Sequence, residues 1–368
     1  MLDVTSPGTP GWEVFGSRGR VRLAMGLERN AIPVNALLVK SEFTCFFCNL
    51  CVEQCPSAVN VTDVVQGARQ EIFSASKTPA PVRRMVDAVD KTGDVFELGG
   101  EERLLWGFDV EEALEGRVKR PAEVLYFVGC QGSFKGSLAG TPVGVVTLLE
   151  RVCADWTVLG DSETCCGTPR YLAGDANWAS GTASNVEAIE KLGVEEVIFT
   201  CPGCFNTFWR HARAAGSSPP PFKLTFASDF FARALRRGSL SFRAPTEKLG
   251  VVAFHDPCEL GRHHGVYDSP RELLQAVPGL ELRELPNTRE MAACCGGGGL
   301  VGAAYPEVRD AQAARKVREF VDNGVDLVIT ACYSCSDALR TASDTARNEG
   351  RSAPRVADLF EFLAGLVE

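Results

Sequence analysis

Fourteen of the fifteen cysteines in this 368-residue chain fall into three groups, spaced as metal-ligating thiolates are. Cys258, the pair Cys294-Cys295 before Gly296, and Cys332-x-x-Cys335 bring five thiols together, with 35 and then 36 residues in the gaps. The same figure occurs earlier as Cys130, Cys165-Cys166-Gly167 and Cys201-x-x-Cys204, with 34 residues in each gap. Corresponding cysteines lie 128 to 131 positions apart, which reads as an internal duplication. The remaining group is Cys45-x-x-Cys48-x-x-Cys51-x-x-x-Cys55-Pro56, a compact run of the kind that presents three thiolates to one iron–sulfur cube. Thiols gathered in this way suit soft metal, iron–sulfur clusters first. Zinc is the alternative, as a knuckle in the first run or a structural site in each repeat, but zinc takes four ligands and each repeat offers five. A dithiol relay through the Cys-x-x-Cys pairs alone leaves the other thiols unexplained. The fifth thiol implies an opened, irregular cluster or one cysteine free for redox work.

Such ligand sets need rigid elements to deliver them. Short apolar runs end at the cysteines: Glu123–Val128 before Cys130, Glu196–Thr200 before Cys201, Leu249–Phe254 before Cys258 and Val325–Thr330 before Cys332. A further strand is expected near Trp156–Leu159. Helical stretches at Val143–Val152, Asn185–Leu192 and Glu307–Asn323 alternate with these strands, so a parallel α/β sheet is expected in each copy, with ligands at the carboxyl ends of its strands. Gly167 and Gly296 allow the sharp turn that aims two adjacent thiols at one site. The run Gly296–Gly299 lets a substrate approach the backbone, or is simply a flexible loop. Upstream, the chain reads as helical from Ser17 through Leu27 and from Val61 to Glu115, with Pro79 and Pro81 as breaks. The fold expected is α/β, with two duplicated Rossmann-like lobes (121–244 and 245–368) related by a pseudo-twofold axis, behind a mainly helical ferredoxin-type domain (1–120). A Ser/Pro-rich linker, Ser217–Pro221, and a basic helix at Arg233–Arg237 lead into the second copy.

Composition narrows the function classes. Hydrophobic content of 45%, charged content of 23% and a net charge of −9 describe a globular chain with no basic stripe for nucleic acid. The N-terminus lacks the basic and apolar regions of a signal peptide, and no apolar run reaches membrane-span length. A cytoplasmic location is expected, with membrane attachment through a partner, and thiols there stay reduced. Cys153 stands apart from the three groups and reads as a plain buried thiol. No G-x-G-x-x-G in a strand–helix setting is present, so any flavin or nicotinamide belongs to another subunit.

The doubled cysteine-cysteine-glycine pattern resembles the catalytic subunits of heterodisulfide reductase. The upstream Cys45–Pro56 run also resembles the iron–sulfur subunits of anaerobic glycerol-3-phosphate, glycolate and lactate oxidases, and of sulfite-reducing membrane complexes. His255-Asp256-Pro257-Cys258 and Met291-Ala-Ala-Cys294-Cys295-Gly296 match that family closely, and the likeness runs from about Ser17 to Val356. The resemblance implies one 4Fe–4S cubane and two noncubane 4Fe–4S clusters. The noncubane ligands would be Cys130, Cys165, Cys166, Cys201 and Cys204, then Cys258, Cys294, Cys295, Cys332 and Cys335. It implies reduction of a small disulfide substrate, with a flavoprotein, a second iron–sulfur protein or a cytochrome/quinone subunit as electron partner. A pure electron-transfer subunit serving a flavin dehydrogenase or a membrane quinone-linked complex is the other reading. Many relatives have two ferredoxin runs, whereas this chain has one. The fourth ligand beside Cys45, Cys48 and Cys51 is therefore Cys55 itself, a residue elsewhere or a non-cysteine group, with Cys55 preferred. His255, three residues before Cys258, is the candidate proton donor, or else a strand-end histidine satisfied by hydrogen bonds. If the two repeats act on one disulfide, the Cys165-Cys166 and Cys294-Cys295 loops must face each other across an open pocket.

Overall fold

The computed structural model describes residues 12–152, 154–214 and 219–368. Cys153, the residues before Trp12 and the Ser217-Ser218 part of the linker lie outside them.

Two parallel sheets carry the repeats. In the first, β1 (Val124–Phe127) pairs with β2 (Trp156–Thr157) and β3 (Glu196–Phe199), and β3 pairs with β4 (Lys223–Phe226), giving the order β2-β1-β3-β4. In the second, β5 (Val252–His255), β6 (Leu327–Thr330) and β7 (Arg355–Asp358) lie side by side. The counterpart of β2 is reduced to one parallel bridge, Val252 to Leu282. β1, β5 and β6 are buried at every position, because parallel strands covered on both faces need continuous apolar runs. Val124–Phe127 of β1 and Val252, Phe254, Leu327 and Ile329 of β5 and β6 share one core.

The edge strands β4 and β7 were not expected from sequence. Each has four residues mixing charged and apolar side chains, too short to show a period. Before β1 every element is helical: Ser17–Glu28, Ala36–Phe43, Leu50–Glu53, Val61–Ser74, Ala80–Thr92, the 3-10 helix Gly100–Val110, and Glu111–Leu114. The helical stretch is interrupted at residues 75–79, as expected, and the two prolines open the helix that follows. Pro79 caps Ala80–Thr92 and Pro81 occupies its first turn, where the missing N–H has no intrahelical acceptor to lose.

The helical segment is packed into both repeats. Leu38, Phe43, Ile72, Val82 and Val86 form a core with Ala173 of the first repeat and Leu300, Ala303 and Tyr305 of the second.

Candidate metal centres

In the first repeat Cys130 lies in the short helix Gly129–Phe134 just after β1, while Cys201 follows β3 and caps the helix Pro202–His211, which carries Cys204 in its first turn. Cys165-Cys166 sits on the loop before the helix Thr168–Ala173, and Gly167 adopts φ 93° there, where a β-carbon would overlap the Trp178 carbonyl oxygen. The thiols form a chain of neighbours: Cys130 with Cys165, Cys165 with Cys166, Cys166 with Cys204, and Cys204 with Cys201. Hydrogen bonds from Cys165 and Cys204 hold the Cys166 thiol well below its usual range and raise those two donors. Arg103, buried, reaches Cys130 Sγ at 3.4 Å and pairs with Glu163 at 2.6 Å. Glu163 in turn accepts the N–H groups of Val128 and Gly129, fixing the turn that presents Cys130. Burial raises the Glu163 pKa against the pull of Arg103.

The second repeat repeats this arrangement. Cys258 follows β5, Cys332 follows β6 and caps the helix Tyr333–Asn348, and Cys335 lies in its first turn. Gly296 has φ 89°. Cys294 neighbours Cys258 and Cys295, Cys295 lies 3.1 Å from Cys335, and Cys335 neighbours Cys332. The same alternation holds: Cys294 and Cys335 depress Cys295 and are themselves raised. Asp256 is clamped by Arg271 at 2.7 and 2.9 Å and by Thr288 and the Arg289 N–H, so the loop into Cys258 is as firmly held as its counterpart. His255 is buried against Cys295, and their ligand atoms and that of Cys335 lie within 4.8 Å of one another. Its ring hydrogen-bonds Cys295, while its Nδ1 has no partner.

Cys45 and Cys48 lie on a loop wound by left-handed Phe47 (φ 55°) and Asn49 (φ 58°), Cys51 lies in the helix Leu50–Glu53, and Cys55 follows that helix. Cys48 reaches Cys294 of the second repeat, which lowers its pKa to about 6. Gly298 and Gly299 explain the close approach. A β-carbon on Gly298 would stand 2.6 Å from the Phe46 carbonyl oxygen, and one on Gly299 would overlap that of Cys45. The glycine run therefore accommodates the first cysteine loop and is not a slack loop.

A cavity of about 350 Å³ opens between the repeats. All five thiols of the first repeat line it, whereas the second contributes Cys332 and Gly297–Gly299. The Cys294-Cys295 pair does not line the cavity opposite Cys165-Cys166 as expected, because Cys294 is turned to Cys48. Cys332 and Cys201 are close enough for their charges to interact. Glu259 also lines the cavity, with a pKa pushed up to about 7 by burial and by the nearby Cys166 and Cys295. His255 is not among the lining residues.

Glu259 and the buried arginines were not singled out in the sequence. Only Arg69 left a signal, since it falls on the apolar face of Val61–Ser74 beside Val65, Ala68 and Ile72. The donor chemistry fits iron–sulfur clusters: the ten repeat cysteines are unpaired in disulfides, at most half-exposed, and gathered five to a site with cationic groups beside them.

A cysteine-rich domain model matches residues 124–209 and 252–340. A subunit of the dihydromethanophenazine:CoB–CoM heterodisulfide reductase of Methanosarcina barkeri is 26% identical over 87% of this chain and 76% of its own length. A probable iron-sulfur-binding oxidoreductase of Bacillus subtilis is 26% identical over 94% of this chain and 49% of its own length. The EtfAB:quinone oxidoreductase of Syntrophomonas wolfei is 25% identical over 93% and 50%, so the chain spans about half the length of these last two relatives. The chain thus carries the cysteine-rich (CCG) domain twice and is similar over most of its length to a heterodisulfide reductase component and to iron–sulfur oxidoreductases.

Proposed function

We propose that the chain is an iron–sulfur oxidoreductase subunit that reduces a small disulfide in the cavity between its repeats. The observation that carries this reading is that all five thiols of the first repeat open on that cavity, with Cys332 of the second beside them. Cys45, Cys48, Cys51 and Cys55 would hold a 4Fe–4S cubane, and each five-cysteine set a noncubane 4Fe–4S cluster, within lobes bounded at 121–244 and 245–368. Such clusters, when bound, supply electrons one at a time. Cleavage takes two electrons and two protons, R–S–S–R + 2e⁻ + 2H⁺ → 2 RSH. Glu259 holds a proton at its carboxyl near neutral pH and faces the cavity, so it is better placed than His255 to protonate a departing thiolate. Gly297–Gly299 and Leu172 also line the cavity.

A second reading is favoured by the name of the Syntrophomonas wolfei relative: an electron-transfer subunit serving a flavoprotein or a quinone-linked membrane partner. Among the described residues no helix is long and apolar enough to cross a membrane.

The test is anaerobic purification, with about twelve irons expected per chain for three four-iron clusters. Viologen-driven reduction of small disulfides should follow, and Cys332→Ala should abolish it while leaving the first-repeat spectrum intact. Zinc in place of iron, or disulfide reduction at the native rate in that variant, would refute the assignment. Electron transfer to quinone analogues with no disulfide reduced would favour the second reading.

A further inference from the structure

The 3-10 helix Gly100–Val110 has two different ridges. With three residues per turn, side chains three apart stack in one line. Arg103 and Trp106 make the inner line, buried at 2% and 4% exposure, with Arg103 in contact with Cys130 Sγ. The outer line is Glu102, Leu105, Phe108 and, on the following helix, Glu111, all exposed. Leu105 is 62% and Phe108 84% exposed, the two most exposed large apolar residues between Met25 and the C-terminus among the described residues. Residues 96–115 contain seven carboxylates and a single base, the buried Arg103. The apolar strip also continues inward, since Phe96, itself 39% exposed, lines the cavity.

We propose that the ridge Glu102–Leu105–Phe108–Glu111 is the docking face for a redox protein whose contact surface is an apolar hollow ringed by lysine and arginine. Two large apolar side chains held in water have no use in the isolated chain, and a protein interface needs such anchors at its centre. The surrounding carboxylates select the sign of the partner's rim and speed its approach. The position of the ridge gives the contact its purpose. A partner seated there is one helix thickness from Cys130, with Arg103 spanning the gap. Electrons can then enter or leave at the first repeat without crossing the second. The docking stands apart from disulfide reduction, and only the redox character of the partner rests on the function proposed above.

Ferricytochrome c, a basic electron-transfer protein, serves as the probe. Its binding to the full chain, without reductant, is followed by titration calorimetry at low and high salt. Glu102→Lys/Glu111→Lys should weaken binding about tenfold or more, with a shallower salt dependence. Leu105→Ser/Phe108→Ser, which leaves the charge unchanged, should weaken it about threefold or more. Glu187→Lys/Glu190→Lys, an equal charge change on the exposed face of another helix, should stay within about twofold of the parent. Parent-like binding in both ridge variants, or an equal loss in the remote one, overturns the proposal. The second measurement is electron transfer from the dithionite-reduced chain, which loses one electron for each ferric haem reduced. Its rate should fall with binding in the ridge variants. Intact, ridge-dependent binding with no haem reduction would uphold the docking face and count against the redox reading.

Discussion

Each thiol group has a guanidinium beside it: buried Arg20 and Arg69 near Cys45, buried Arg103 at Cys130, and partly buried Arg262 near Cys48, Cys258 and Cys294. Several thiolates in one dry site repel one another, and fixed cations offset that repulsion. Arg103 is the sharpest case, because its removal would also strand the buried Glu163. Arg103→Met should cost about 3–5 kcal/mol in urea unfolding, and Arg103→Met/Glu163→Gln should recover much of that loss. If the double variant is no better than the single, the pair is not what holds the Cys130 turn. Histidine sets a pH dependence. Burial, with the nearby charges of Arg210 and Arg262, lowers the His263 pKa from 6.5 to about 4, against the hydrogen bond to the Phe47 carbonyl. The unfolded chain therefore takes up this proton first as pH falls. The stability from neutral His263 is full above about 6.5 and is lost progressively down to about 4. His263→Gln, which keeps an N–H for Phe47, should flatten the fall in Tm between about pH 7 and pH 5. An unchanged slope would show that His263 is not the group responsible. Neither the guanidiniums nor His263 was legible in the sequence as part of the site. The cysteines announce themselves by spacing, whereas a cation's role depends on which distant loop it meets.

At the scale of elements, β1, β3, β5 and β6 were readable because strands buried on both faces must be continuously apolar, and because each ends at a cysteine. β4 and β7 escaped for the opposite reason: at the sheet edges one or two charged residues in four are tolerated. The glycine run was legible as a run but not in its use. Its purpose depends on a contact with Cys45 and Phe46, some 250 residues earlier in the chain. Gly299→Ala tests that use, since Gly299 combines φ 66° with contact against the Cys45 carbonyl. The substitution should cost more than about 3 kcal/mol and disturb the spectrum of the first cysteine loop. Gly279 has φ 76° with open space around it, so Gly279→Ala carries backbone strain alone and should cost about 1–2 kcal/mol. Equal costs for the two would mean that the close packing of the glycine run contributes nothing beyond its backbone angles.

Over the whole molecule the thiols form an ordered series. Cys48 meets Cys294, the second repeat leads on to Cys332, Cys332 and Cys201 lie within electrostatic reach of each other and both line the cavity, and the first repeat opens on it. The series is continuous only while the helical segment stays seated on both repeats, and Arg69 is the residue placed to keep it there. It is fully buried between the rings of Phe43 and Phe47. Its guanidinium donates to the carbonyls of Glu42 and Cys45 in its own segment, to Leu172 of the first repeat at 2.7 Å, and to Gly299 of the second at 2.9 Å. Arg69→Met would leave four inward-facing carbonyls short of a donor, at about 1–3 kcal/mol for each that finds no other partner. The loss falls at the junction and not inside either sheet, so the expected outcome is a change in cooperativity. The parent should unfold in one calorimetric transition, and the variant in two, with amides of Val61–Ser74 and Ala80–Thr92 exchanging faster than those of β1 and β5. Reduction of the first-repeat site by a donor acting at the Cys45–Cys55 loop should slow in the same variant, because the Cys48–Cys294 contact loosens with the junction. A single transition merely shifted to lower temperature, with uniform exchange, would mean that the three segments are joined mainly by their shared apolar core and that Arg69 adds only stability.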